Sequence, residues 1–172
     1  MGIRENSPEW KKHRDANIDL WIIGKGFISL YYNQDIIDYD IDLLEAKKYK
    51  IIEFDGDFIT DKMELHFALE AKLQFPGYYG HNFHALNDCL GDYEVDVNGV
   101  VLVFRGLDNL DIETIHVLLD VFAHSDRRKF AAGRKMLILV QVNNPRFNIK
   151  EPIGAVNFYL WNDKEWFEGN RR

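Results

Sequence analysis

Val100-Val101-Leu102-Val103-Phe104 is a run of β-branched and apolar residues with no alternation, and Met136 to Val142 repeats the pattern further on. A strand with one wet face alternates polar and apolar residues. A strand that is apolar throughout is covered on both faces, as in a parallel sheet flanked by helices. Between the two runs, Ile112 to Phe130 places Ile115, Leu118, Leu119 and Phe122 on one helical face, and Gly133 stops it. Working back, Tyr49 to Phe54 predicts another strand, closed by the Asp55-Gly56 turn. Asp61 with Glu64 three positions on has the form of a capping box. The helix it opens carries Leu65, Ala68, Leu69 and Leu73 on one face and ends at Pro76-Gly77. Asn82 suits the N-cap of a second helix, which buries Phe83, Leu86, Cys89 and Leu90. The order from Tyr49 to Val142 is strand, helix, helix, strand, helix, strand. It predicts an α/β fold with a small three-stranded parallel sheet, and right-handed crossovers leave few topologies open.

The flanks follow other patterns. Met1 to Asn17 is polar and charged and predicts a solvated arm. Leu20 to Ile23 and Phe27 to Tyr32 are β-prone runs separated by Gly24 and Gly26, which predicts a hairpin. Glu45 to Lys48 is a polar break. The tail holds a strand-like run from Val156 to Leu160 and an aromatic end, Trp161, Trp166 and Phe167. The chain therefore divides into an N-terminal extension over 1–48 (arm plus hairpin), a domain over 49–142, and a C-terminal extension over 143–172 packed on that domain.

With 47% apolar and 28% charged residues, the 172-residue chain has the composition of a folded globular protein. Its formal net charge of -7 argues against a nucleic-acid backbone as partner, which would need a positive face, and favours a basic protein partner. The single cysteine, Cys89, precludes an internal disulfide. No signal-peptide core precedes the domain, and no stretch approaches the ~18 apolar residues of a membrane span. A cytoplasmic location is expected.

Residues 76–90, Pro-Gly-Tyr-Tyr-Gly-His-Asn-Phe-His-Ala-Leu-Asn-Asp-Cys-Leu, single out a family. Tyr78, Tyr79, Gly80, Asn82, Ala85, Leu86, Asp88, Cys89 and Leu90 resemble, in order and spacing, the barstar family of intracellular ribonuclease inhibitors. Leu118 to Phe122 and Lys135 to Val140 look like the last helix and strand of the same family, so the resemblance runs from Tyr49 to Val142. It implies a toxin-binding face formed by the loop at Tyr78 to His81 and the helix from Asn82. It also implies that Asp88 enters the active site of a ribonuclease-type toxin in place of a substrate phosphate.

Helical spacing points to the same face. If Phe83, Leu86 and Leu90 face inward, His84 and Asp88 share the outward stripe, with Asp92 next along it. A carboxylate offers arginine or lysine two acceptor oxygens in nearly phosphate-like geometry. The expected partner-binding set is Tyr78, Gly80, His81, Asn82, His84, Asn87, Asp88, Asp92, Tyr93 and His124. Departures from the family pattern matter to specificity. His84 and His124 stand where the resemblance implies acidic groups, His81 where it implies glutamate, and Asn87 where it implies tryptophan. A target other than barnase itself is expected.

Two other readings compete. An enzyme would draw on His81, His84, Asp88 and Cys89, but two possible ligands at i, i+4 lack a third, and Cys89 is expected to face the core. No catalytic residue, metal or cofactor is expected. Alternatively, the chain is an interaction module for a non-ribonuclease partner, or self-associates through its aromatic extensions. The oligomeric state stays open at this point.

Overall fold

The computed structural model describes residues 7–157 and 159–172. Four strands, β1 (Ile28–Tyr31), β2 (Lys50–Asp55), β3 (Val100–Arg105) and β4 (Met136–Gln141), form one sheet in the order β1-β4-β3-β2. Every neighbouring pair is parallel. The sheet thus has four strands where three were expected, and the additional one, β1, comes from the segment before Tyr49. It pairs Ile28 with Ile138 and Tyr31 with Gln141 along the β4 edge.

Among the described residues, six helices cover the sheet: α1 (Pro8–Ala16), α2 (Ile18–Gly24), α3 (Gln34–Ala46), α4 (Lys62–Leu73), α5 (Phe83–Asp92) and α6 (Ile112–Ala131). The continuous apolar runs are explained by two separate cores. Val100, Leu102, Phe104, Met136, Ile138 and Val140 join a core with residues of α4, α5 and α6. Val101, Val103, Leu137 and Leu139, one residue out of phase, pack with Ile18, Ile22, Ile37, Ile41 and Leu44 from α2 and α3. Successive side chains on a strand point to opposite faces, so both sets are buried at once.

Three expectations for the flanks are corrected. The arm is helical from Pro8, with Ser7 accepting a bond from the Trp10 amide at its N-terminus, and Arg14 is buried. Residues 1–6 lie outside the described residues. The hairpin is absent because Leu20 to Ile23 belongs to a helix, in which Ile18 and Ile22, one turn apart, face the sheet. The chain then turns at Gly26 and Phe27, both at positive φ, and enters β1 parallel to β4. In the tail, the run from Val156 to Leu160 forms no strand among its described residues, and Phe158 lies outside them. Isolated bridges join Ile153 to Val156 and Leu30 to Trp161. The tail is tied to the segment after β1 by Glu165, whose buried carboxylate accepts bonds from the Tyr32 and Asn33 amides and from Asn162.

Candidate functional site

The loop before α5 is fixed from below. Tyr79 is buried and hydrogen-bonds to His66 Nδ1, and its ring packs on Phe75. Burial, helped by Lys62 and His81, pulls the His66 imidazole down to about 4, so it is neutral at physiological pH. His66 also meets the Phe83 ring at a 5.0 Å centroid distance. His81 adopts a left-handed φ of 50° and places Nε2 2.7 Å from the Glu70 carboxylate on α4. Tyr78, by contrast, is 79% exposed. The chain thus turns one tyrosine into the core and presents its neighbour to solvent.

Asn82 caps α5 as expected, its Oδ1 accepting from the Ala85 amide and its Nδ2 donating to Gly80 O. The same type of cap opens α4, where Asp61 accepts from the Glu64 amide, although Glu64 reaches back to the Thr60 amide instead of to Asp61. In α5, Leu86, Cys89 and Leu90 are buried, Phe83 is half-buried, and His84, Asp88 and Asp92 are exposed. Among the described residues, Asp88 has no hydrogen bond or ion pair with the chain. Burial, then Asp92 and Asp88, push the Cys89 thiol up, which disfavours the thiolate a nucleophile needs. No group of three or more metal-binding side chains occurs among the described residues.

The neighbouring helix α6 completes the face. His124 is exposed and holds Nδ1 2.8 Å from the Asp120 carbonyl. One turn on, Arg128 donates from Nη2 to Asn87 Oδ1 at 3.1 Å, tying α6 to α5. Lys129 donates to the Tyr93 carbonyl at 2.7 Å and lies beside the half-buried Tyr93 ring. Tyr78, Gly80, Asn82, His84, Asp88 and Asp92 are therefore exposed along the loop and α5. His81, Asn87 and Tyr93 are partly buried and engaged by Glu70, Arg128 and Lys129. Arg128 was not among the expected residues; its i+4 spacing from His124 carries the signal. It sets a cation beside the acidic stripe, on the side where His124 stands.

No curated protein matches the sequence. Among solved structures, Cdc6p from Pyrobaculum aerophilum is similar over 83% of this chain and 41% of its own, at 12% identity and a TM-score of 0.52. The structure of Drosophila ORC bound to AT-rich DNA and Cdc6 matches over 78% and 46%, at 12% identity and a TM-score of 0.49. The chain spans less than half the length of either structure. At these identities the first likeness is one of fold, a parallel sheet between helices. The sequence contains no G-x-x-x-x-G-K-[ST] run, so the phosphate loop of nucleotide hydrolases is no part of it. The family model that matches is Barstar (barnase inhibitor), over residues 49–141. That match covers more than half of the chain and includes α4, α5, α6 and three of the four strands, so the chain belongs to the Barstar (barnase inhibitor) family.

Proposed function

We propose that the chain inhibits a ribonuclease-type toxin by seating α5 in the toxin's active site, with Asp88 taking the place of a substrate phosphate. Family membership supports an inhibitor with a protein partner. The observation that carries the finer reading is the Asp88 carboxylate: exposed, without a partner among the described residues, and held on a capped helix that follows exposed Tyr78. A rigid helix presents the acid without loop ordering, and tyrosine supplies contact area at low entropic cost. Once water is excluded, the pair with the toxin's arginine or lysine strengthens, provided both carboxylate oxygens are satisfied.

The test is a pull-down from secreted bacterial proteins with the immobilised chain, followed by a ribonuclease assay of what is captured. A captured ribonuclease inhibited at one-to-one stoichiometry is the expected result. Removing one partner of a buried ion pair costs about 3–5 kcal/mol, so Asp88→Ala should weaken binding by a hundredfold or more. Equal binding by Asp88→Ala, with loss in Asp120→Ala, would place the interface elsewhere.

A second reading is favoured by Arg128 and the two histidines, which leave the face less acidic than its family pattern implies. On that reading the same surface binds a partner without ribonuclease activity. A captured protein that fails the ribonuclease assay yet loses binding to Asp88→Ala would select it.

A further inference from the structure

Four large apolar side chains stand together in solvent where α2 meets the C-terminal tail. Leu20 and Trp21 on α2 are 54% and 40% exposed, and Trp166 and Phe167 in the tail are 41% and 71% exposed. Trp21, Trp166 and Phe167 line one hollow of about 360 Å³, with Trp10 of α1 edge to face on Trp21 at 5.9 Å. Leu20 and Trp21 also line a more open depression beside it, so the four make one continuous surface. A single exposed leucine or tryptophan is ordinary, but a contiguous group marks an interaction surface.

The charged groups around the hollow are spent on the chain itself. Arg14 gives its guanidinium to Asp15, Asp40 and Asp163, Lys25 bonds to the Leu160 and Trp161 carbonyls, and Lys164 Nζ lies 4.1 Å from the Tyr39 ring centroid. What the surface offers is ring area, and three features select a second copy of this chain to cover it. The first is size. The four side chains leave the equivalent of about two whole ones in water, roughly 300–500 Å². A standard interface covers about 800 Å² per partner, a little over half of it apolar, so the patch supplies most of the apolar centre that a dimer needs. The second is shape. A two-fold contact must be complementary to itself, and here one surface carries both a hollow and a projecting ring, Phe167. The third is charge. Asp88, Asp92 and Glu94 are exposed along α5 and just after it, and would repel their own copy, whereas the patch has both signs at its margin: Glu9 and Lys11 beside Trp10, and Glu168 beside Phe167.

We propose that two copies of the chain associate through this surface, burying Leu20, Trp21, Trp166 and Phe167. The contact is independent of the toxin-binding reading, because α2 and α5 pack on opposite faces of the sheet. Sedimentation equilibrium on the full chain tests it. The mass should rise from 20.2 kDa toward twice that value, with a Kd below about 100 μM. Tryptophan emission should move to shorter wavelength over the same concentrations, as Trp21 and Trp166 leave water. Phe167→Glu and Trp21→Glu each place a carboxylate in the contact and should weaken association at least about tenfold. Asp88→Ala should associate as the parent does. A mass that stays at one chain up to about 500 μM would overturn the proposal and leave the surface to a foreign partner. Association undiminished in both glutamate variants, or lost in Asp88→Ala, would overturn it equally.

Discussion

Two aspartates are fully buried on opposite sides of the sheet, and the chain treats them in opposite ways. Asp40, on α3, takes Arg14 Nη1 and Nη2 at 2.6 and 2.7 Å and the Tyr31 hydroxyl at 2.8 Å. Burial alone would weaken the Arg14 charge, but the hydrogen bonds and attraction of Asp40, joined by Asp163, outweigh it and hold the guanidinium's proton more tightly. Asp126, on α6 under the candidate binding face, has neither oxygen satisfied among the described residues. Burial pushes its carboxyl well above the usual range, with Lys129 only partly opposing, so it stays protonated. The N-terminal layer is locked by a charged network. The layer that carries α5 and α6 is held by apolar packing and caps, and carries a buried acid as a standing cost.

The sharpest way to break that contrast is to remove the lock. Arg14→Ala leaves Asp40 charged and buried without its main partner, and should destabilise the chain by about 3–5 kcal/mol in urea denaturation. Asp88→Ala, at an exposed position with no partner among the described residues, should change stability by less than about 0.5 kcal/mol. If Arg14→Ala were as mild as Asp88→Ala, the network would be no lock, and the N-terminal layer would rest on its apolar core, Ile18, Ile22, Ile37, Ile41 and Leu44 among it.

The same division shows what can be seen in a single sequence. The caps Asp61 and Asn82, the buried stripe of α5 and the exposure of His84 and Asp88 are local matters of i+3 and i+4 spacing, and they were legible. The lock was not. Arg14 looks like a solvated charge until α3 brings Asp40 to it, and nothing within one helical turn announces that pairing. Ile18 and Ile22 sit in a short β-prone run, and only the second apolar face of β3 and β4 makes a helix the better burial. The pairing of β1 with β4 joins residues more than a hundred positions apart, which periodicity does not encode. In the site, Tyr78 and Tyr79 were indistinguishable by type; their opposite orientations follow from His66, thirteen residues before Tyr79.

His66 sharpens the comparison on the functional side. Its folded value near 4 lies below the ordinary value near 6.5, so the unfolded chain binds the extra proton between those limits. Stability rises with pH where the unfolded state holds more protons; this contribution is therefore full above about pH 6.5 and lost as pH falls toward 4. The loss should reach about 3 kcal/mol, and His66→Gln should remove that part of the pH dependence. Because the imidazole supports Tyr79 and Phe83, binding through the α5 face should weaken over the same interval. A flat stability profile from pH 7 to 4.5 would mean that the loop beneath Tyr78 is held by other contacts.

An effect of opposite sign is expected at Asp126. A carboxyl that keeps its proton in the fold and loses it on unfolding makes the folded state less favourable as pH rises through the ordinary carboxylate range. Asp126→Asn retains the shape and has no proton to lose, so it should be more stable than the parent at pH 7, by a few degrees in Tm. The gain should shrink toward acid and vanish below about pH 4, where the parent is protonated in both states. Asp40→Asn must go the other way at pH 7, since it takes the negative charge from Arg14. A destabilising Asp126→Asn at pH 7 would show that this carboxylate is ionised and partnered after all. The contrast between the two sides of the sheet would then vanish.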